Sequence, residues 1–248
     1  MRRTSNSQEV RIFLCRIMPK MRAFFRVKFI PPYDFEMPRG GIKEIKMKVI
    51  GITGGVGAGK SEILAYLNEH ASCRTIIADK VAHDLEKQGG VCYGQIVALL
   101  GKEIVAGDGE IDKSKMAARI FTDRKLLAQV NGIVHPAVKE YIVNEIVKER
   151  KAGRLDYLFI EAALLIEDGY SKIVDEMWYI HADEKTRRDR LKASRGYSDE
   201  KIDSIMREQL PEEEFHKKCS TVIDNSKTLE SAYGQIDRKL GEKLCQKH

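Results

Sequence analysis

The sequence predicts an α/β protein in which a parallel sheet is covered by helices on both faces. Short apolar runs rich in β-branched residues alternate along the chain with longer segments of helical periodicity, which is the pattern of repeated βα units. A glycine-rich segment, GGVGAGKS at residues 54–61, lies directly between the first apolar run and the first helical segment. Ligands of such sheets bind beyond the carboxyl ends of the strands, so this segment is the first candidate for a binding site.

The first strand is predicted at residues 49–53, VIGIT, and the helix after the glycines has apolar residues at positions 63, 64 and 67. Residues 54–61 match the pattern G-x-x-x-x-G-K-S/T of a phosphate-binding loop. Glycines let successive N–H groups point at phosphate oxygens, and the helix N-terminus adds positive charge. In such a loop Lys60 bridges the terminal phosphates and the Ser61 hydroxyl ligates Mg²⁺. The sequence therefore predicts the three-layer P-loop NTPase fold; the alternative, a glycine-rich turn without function, is disfavoured by the flanking strand and helix.

The remaining elements follow from periodicity and from the positions of glycine and proline. Residues 91–151 are helical in pattern, with a turn at residues 107–109 and a helix punctuated by His135-Pro136, and no strand is predicted there. Other predicted elements are strands at 75–77, 157–160, 177–180 and 221–223 and a helix at 80–87. Asp79, Glu161 and His181 each follow or end a predicted strand. We therefore expect these side chains to lie at the same sheet edge as the glycine-rich loop.

Composition limits the partners and the compartment. The chain has 248 residues and a net charge of +6, but residues 1–46 carry eleven Lys and Arg against four acids, which leaves the rest at −1. This balance gives no reason to expect nucleic acid as a partner, and no apolar run is long enough to span a membrane. The five cysteines are odd in number and form no C-x-x-C pair or metal-ligand spacing. Reduced thiols of a cytoplasmic protein are the expectation.

Residues 1–46 are predicted to be a separate, basic and disordered extension or a wrongly assigned start. The segment contains Pro31-Pro32 and Pro38, and its apolar residues fall in short bursts without a sustained period. It lacks the long apolar stretch and the cleavage site of a secretory signal. We expect Met47, directly before the first strand, to be the natural start, with residues 47–248 forming the folded domain.

Two further features narrow the class of P-loop protein. The D-x-x-G and N-K-x-D strings of GTPases and the L-S-G-G-Q-like signature of transport ATPases do not occur in the sequence. Small-molecule kinases place an acid near the second strand and an arginine-bearing lid late in the chain, which closes over the transferring phosphoryl group. Asp79 is the candidate acid, and residues 186–198 contain the candidate lid arginines.

Six motifs in order resemble one family, the dephospho-coenzyme A kinases. The motifs are GGVGAGKS at 54–61, ADKVAH at 78–83, IVHP at 133–136, EAALLIE at 161–167, RLKASRG at 190–196 and VIDNS at 222–226. The resemblance covers Met47 to about Leu240. It implies transfer of the ATP γ-phosphoryl group, with Mg²⁺, to the ribose 3′-hydroxyl of dephospho-coenzyme A, the final step of coenzyme A synthesis. It also implies an inserted helical substrate domain at about 91–150 and a mobile lid at about 186–210.

The resemblance also implies roles for particular residues. The catalytic residues would be Asp79, Lys60 and Arg195, and the metal ligand would be Ser61. The nucleotide would contact Gly55, Gly57, Ala58, Gly59, Lys60, Ser61, Glu62 and Asn225, and the substrate would contact His83, His135, Glu161, Arg187 and Arg190. Plainer roles stay open for several of them: a helix cap for Asp79, a solvated surface for the arginines, a core or cap histidine at 135 and a simple turn at Asn225.

The chain departs from the family pattern at four positions. Ile77 stands where the family commonly has Asp, Glu62 where it has Thr, Ala163 where it has Pro, and Ile205 where it often has a lid arginine, for which Arg207 is a substitute. Two alternatives stay open, the second because of the departures at Ile77, Glu62 and Ile205. One is another small-molecule kinase for nucleosides or nucleotides, and the other is a nucleotide-binding regulator without transfer activity. A monomer or weak homo-oligomer is expected in either case.

Overall fold

The structure, a computed structural model, describes residues 47–241. The predicted extension at residues 1–46 lies outside the described residues, as do residues 242–248. The proposed start at Met47 and the disorder expected before it therefore stay predictions.

A five-stranded parallel sheet forms the centre of the molecule. Its strands are β1 (Lys48–Thr53), β2 (Cys73–Ile77), β3 (Tyr157–Glu161), β4 (Glu176–His181) and β5 (Thr221–Asp224). Their order across the sheet is β2-β3-β1-β4-β5, and every neighbouring pair is parallel. The five predicted strands and the parallel α/β class are confirmed. The order places β1, which carries the glycine-rich loop, in the middle of the sheet.

Nine α-helices lie within the described residues. They are α1 (Lys60–His70), α2 (Ala78–Leu85), α3 (Tyr93–Leu100), α4 (Lys113–Thr122), α5 (Arg124–Ala152), α6 (Glu184–Arg195), α7 (Asp199–Arg207), α8 (Glu212–Lys218) and α9 (Leu229–Leu240). None of these helices combines the length and the apolar character that a membrane crossing requires. Helix α2 begins two residues earlier than the sequence indicated, so Asp79 lies inside its first turn.

Helices cover both faces of the sheet because alternate strand residues point to opposite sides. Ile50, Ile52 and Trp178 belong to a core shared with α1 and α9, whereas Val49 and Leu158 belong to a second core on the other face. This second core continues without a break into α3, α4 and α5. The predicted helical region at 91–150 is thus helical, with one isolated bridge between Val105 and Ile111 among its described residues. It packs on the sheet through a shared core.

The longest helix, α5, passes through Pro136 without ending. Proline has no N–H, so the carbonyl of Gly132 loses its helical partner. Gly132 is exposed, and water can therefore reach that carbonyl. The interruption of the helix that was expected at His135-Pro136 therefore does not occur. Helix α5 is one continuous element.

Candidate active site

The glycine-rich loop lies between β1 and α1, and two of its glycines have no possible substitute. Gly54 has a φ of 152°, and a Cβ there would stand 2.4 Å from the Ile180 carbonyl oxygen. Gly59 has a φ of 87°, and a Cβ there would stand 2.3 Å from Nδ2 of Asn225. Such contacts and a positive φ exclude side chains. The loop is therefore pressed against β4 and against the segment that follows β5.

Lys60 reaches back across the loop. Its Nζ donates a hydrogen bond to the Gly54 carbonyl at 2.8 Å and lies 4.0 Å from Oε1 of Glu161. Ser61 and Glu62 follow in the first turn of α1, both exposed. The turn has no side-chain cap, so its N–H groups face the loop opening. Glu62 points to solvent, which fits its role as an acid near a helix N-terminus.

Two arginines of α6 and one asparagine hold the loop from the other side. The Arg187 Nε donates to the Val56 carbonyl at 3.0 Å, and burial lowers the pKa of Arg187. Arg190 Nη2 donates to the Asn225 carbonyl at 2.9 Å, and Asn225 Nδ2 donates to the Ala58 carbonyl at 2.8 Å. Asn225 is fully buried, and its Oδ1 has no hydrogen-bond partner in the described part of the chain. These contacts join α6, the segment after β5 and the loop.

Arg195 is not brought to the loop. It lies exposed in the last turn of α6, where its guanidinium stands 5.9 Å from the centre of the Tyr197 ring. Ile205, which occupies the expected arginine position, is buried, and the exposed Arg207 donates to the Asp203 carbonyl. The arginines that touch the loop are therefore Arg187 and Arg190.

Asp79 stands at the same edge of the sheet. Ile77 of β2 and Ile52 of β1 are both register partners of Glu161 in β3. Neighbouring strands lie about 4.8 Å apart, so the two strand ends are about 10 Å apart with Glu161 between them. Ile77, not Asp79, is the N-cap of α2, and no side chain caps this helix. Asp79 is therefore not the N-cap residue, although as an acid in the first turn it suits the helix dipole.

A cavity of about 520 Å³ opens beside Asp79. Its walls come from α2, α4, α5 and the segment after β3, and they contain the predicted residues His83 and His135. The cavity is lined by Ala78, Asp79, Lys80, Ala82, His83, Asp84, Glu86, Lys113, Met116, Val130, Asn131, Val134, His135, Val138, Ala162, Ala163, Leu164, Asp168 and Tyr170. The lining combines apolar side chains with polar and charged ones, so the cavity can hold a small molecule that has both kinds of group.

Asp168 is a residue of this wall that the sequence reasoning missed. Asp168 accepts at 3.2 Å from Nδ1 of His135, and its carbonyl accepts from Lys139 Nζ at 2.9 Å. The pair fixes the imidazole, so that Nε2 is the nitrogen left for a ligand. Asp168 directly follows the motif at 161–167, and its place beyond a strand end was the signal that could have indicated it.

A phosphate-binding loop in the middle of a parallel sheet, with a carboxylate and a cavity at the same sheet edge, is typical of P-loop kinases that act on small molecules. Residues 48–231 match the protein-family model described as dephospho-CoA kinase. The chain belongs to the dephospho-CoA kinase family.

Similar proteins agree with this membership. The chain is 35% identical over 190 residues to the dephospho-CoA kinase of Carboxydothermus hydrogenoformans, covering 77% of this chain and 91% of that protein. It is 34% identical over 193 residues to the dephospho-CoA kinase of Streptococcus mutans, covering 78% and 96%. The crystal structure of TT1252 from Thermus thermophilus superposes with a TM-score of 0.66 at 28% identity, covering 79% and 97%. Dephospho-CoA kinase from Campylobacter jejuni, at 18% identity and a TM-score of 0.62 over 82% and 100%, shows the same fold.

Family membership confirms the predicted activity: the chain is a kinase of coenzyme A biosynthesis that uses ATP to phosphorylate dephospho-CoA. It also favours this function over the two alternatives that the sequence left open.

Proposed function

We propose that the loop at 54–61 holds ATP with Mg²⁺ and that the cavity beside Asp79 holds dephospho-CoA, with the ribose 3′-hydroxyl between Asp79 and the γ-phosphoryl group. The observation that carries this assignment is the cavity itself: it opens at Asp79, two strands from the loop at the same sheet edge. A phosphoryl group held by the loop then faces a hydroxyl held by the cavity. Such positioning is most of what phosphoryl transfer requires from a protein.

Asp79 is the proposed general base. A ribose hydroxyl is a weak nucleophile, and a carboxylate that accepts its proton also aligns its oxygen with the bond that breaks. His135, held by Asp168, offers Nε2 to the ribose or to the substrate phosphates, and His83 stands one turn along α2 from Asp79. The oxygen attacks the γ-phosphorus, the bond to the β-phosphate oxygen breaks, and ADP leaves.

Lys60 supplies the charge that follows the transferring group. In the structure its ammonium is held by the Gly54 carbonyl and lies near Glu161. Phosphate oxygens of ATP replace the carbonyl as its partner, because a charged acceptor makes the stronger hydrogen bond. Glu161 keeps the ammonium at the sheet edge.

The residues present fit a bound Mg²⁺. The Ser61 hydroxyl is exposed at the loop and the Glu161 carboxylate lies nearby, both oxygen donors of the kind that Mg²⁺ takes together with nucleotide phosphates. No cluster of three or more His, Cys, Asp or Glu residues suited to a metal occurs within residues 47–241. Bound there, Mg²⁺ neutralises charge on the β- and γ-phosphates.

The proposal also covers the domain organisation, the oligomeric state and the cellular location of the protein. Residues 47–248 form the kinase domain, with the helical region at 91–150 as the substrate-binding part. Residues 186–210 are the lid, which carries Arg187, Arg190 and Arg195 and brings Arg195 to the phosphates when it closes. Asn225 belongs to the segment that contacts the adenine of ATP, and its buried side chain holds this segment to the loop through the Ala58 carbonyl. We place the enzyme in the cytoplasm as a monomer or weak homo-oligomer, without nucleic acid or membrane as a partner.

A coupled assay of ADP formation tests the proposal. With ATP, Mg²⁺ and dephospho-CoA we expect turnover, a product heavier by one phosphate, and ³¹P NMR that assigns the new phosphate to the 3′-oxygen. Adenosine and AMP as acceptors test the nucleoside and nucleotide kinase alternative. EDTA in excess over Mg²⁺ should abolish turnover. ADP formation that is unchanged by leaving out dephospho-CoA would contradict the proposal.

A further inference from the structure

The cavity beside Asp79 contains a buried polar group that the steps above do not use, the side-chain amide of Asn131. Asn131 lies on α5, is 6% exposed and lines the cavity beside Val130, Val134 and Met116. Its amide makes no hydrogen bond to any residue of the described range 47–241. The amide is not among the fully buried side-chain groups without a partner, so it opens to the cavity, where a ligand can bind it.

Two other polar side chains of this wall, one buried and one partly buried, differ in that they already have partners. Glu86, equally buried, forms an ion pair with Lys113 from the start of α4. His135 is held by Asp168. The Asn131 amide therefore presents a donor and an acceptor side by side to the cavity, next to the apolar side chains of Val130 and Val134.

The covalent structure of dephospho-CoA indicates which part of it lies beside Asn131. This conclusion depends on the proposed function. The carbon that bears the reacting 3′-hydroxyl is separated by one ring carbon from the carbon that bears the adenine. The pantetheine arm begins only beyond the diphosphate on the 5′-carbon. A ribose held at Asp79 and His135 therefore brings the flat, apolar base into the nearby cavity, and the arm leaves in another direction.

Helical spacing places Asn131 where the base lies. Asn131 and His135 are four residues apart on α5, so they share one face and are separated by about 6 Å along the axis. A side-chain amide pairs with adenine by two hydrogen bonds, accepting from the N6 amino group and donating to N7. No other base presents this pair of groups.

We propose that Asn131 is a specificity residue that recognises the adenine of the acceptor: Oδ1 accepts from the N6 amino group and Nδ2 donates to N7. Val130, Val134 and Met116 contribute the apolar surface around the ring. The proposal assigns the base of dephospho-CoA, and not its pantetheine arm, to the cavity.

The experiment compares two acceptors, dephospho-CoA and its analogue with hypoxanthine in place of adenine. Hypoxanthine carries an oxygen at position 6, so a rotated amide can donate to it but then sets Oδ1 against N7. We expect kcat/KM of the unaltered protein to fall about 10- to 100-fold with the hypoxanthine acceptor. In Asn131→Leu the two acceptors should differ by less than about 3-fold, because the lost amide contacts were those that discriminated.

A matched control is Asn144→Leu, an exposed position on the same helix, which should keep the full preference for adenine. The KM for ATP should be unchanged in both variants. Asn131→Ala, which removes the amide without adding bulk, gives the same test if the leucine variant does not fold.

Two results would overturn the inference. One is equal use of both acceptors by the unaltered protein, and the other is an undiminished preference for adenine in the folded Asn131 variants. Either result combined with normal turnover of dephospho-CoA contradicts only the role of Asn131. Absence of turnover with dephospho-CoA in the unaltered protein contradicts the proposed function instead.

Discussion

Asp79 is the residue on which the proposed chemistry depends most directly. Asp79→Asn keeps the shape of the side chain but loses the proton acceptor, so we expect kcat to fall about 10²- to 10⁴-fold. The loose transition state of phosphoryl transfer favours the lower end of that range. Steady-state kinetics with saturating ATP and dephospho-CoA provide the measurement.

The control for this change is Asp108→Asn, an exposed position in the turn at 107–109, which should leave kcat within about 2-fold. Melting temperature and ATP affinity should be the same in both variants. If Asp79→Asn retains more than a tenth of the normal kcat, Asp79 is not the base.

Lys60 is expected to act in the transition state as well as in the resting loop. Lys60→Ala removes the ammonium that follows the γ-phosphoryl oxygens, and we expect kcat to fall about 10²-fold or more. The fold should persist, since Lys60 is only partly buried and α1 keeps its apolar face. Single-turnover assays, with circular dichroism as the check of folding, test this; near-normal kcat would show that the loop lysine is not catalytic.

Substitutions of Arg195 and Arg187 are expected to differ in their effects on ATP affinity and kcat. Arg187 already donates to the Val56 carbonyl of the nucleotide-free loop, so Arg187→Ala should weaken ATP binding along with kcat. Arg195 is exposed and distant from the loop contacts, so its contribution requires lid closure, and Arg195→Ala should lower kcat about 10²-fold with little change in ATP affinity. ATP titrations beside steady-state kinetics separate the two. Equal losses of kcat and of ATP affinity in Arg195→Ala would show that Arg195 contacts ATP already in the ground state.

At the scale of elements, Arg74 joins the edge strand β2 to the last turns of α5. It forms ion pairs with Glu145 and Glu149, and the Glu149 carboxylate accepts at 2.7 Å with its side chain only 9% exposed. Arg74→Met leaves that buried carboxylate without its partner. We expect the free energy of unfolding to fall by about 1–3 kcal/mol.

Lys148→Met provides the matched control for this prediction. Lys148 also pairs with Glu145, but its side chain is 69% exposed, and removing an exposed pair costs less than about 1 kcal/mol. Urea denaturation of both variants gives the comparison. Equal losses would show that burial of Glu149 does not decide the stability of this contact.

At the scale of the whole molecule, the family match begins at residue 48 and β1 begins at Lys48. A protein that starts at Met47 should therefore fold and form ADP at the rate of the full chain, with a melting temperature within about 2 °C. Differential scanning calorimetry and the coupled assay measure both quantities. Loss of folding in the shortened protein would show that residues 1–46 belong to the domain.

The sequence by itself determined the strands, the phosphate-binding loop and the position of Asp79. These features depend on neighbours within a few residues: β-branched runs predict buried strands, and a glycine-rich turn before a helix predicts a phosphate site. Asp79 and Glu161 could be placed at one sheet edge because parallel strands all end there. The start of α2 was predicted two residues too late, since no capping side chain at its N-cap position marks it.

The tertiary structure alone decided which side chains meet. The sheet order β2-β3-β1-β4-β5 does not follow the order along the chain, so no local pattern reports that Asn225 reaches Ala58 or that Arg187 reaches Val56. Asn131 and Asp168 became visible as cavity residues only once α5 had packed against the sheet. Convergence of side chains depends on long-range packing of rigid elements, and periodicity within an element carries no information about what that element packs against.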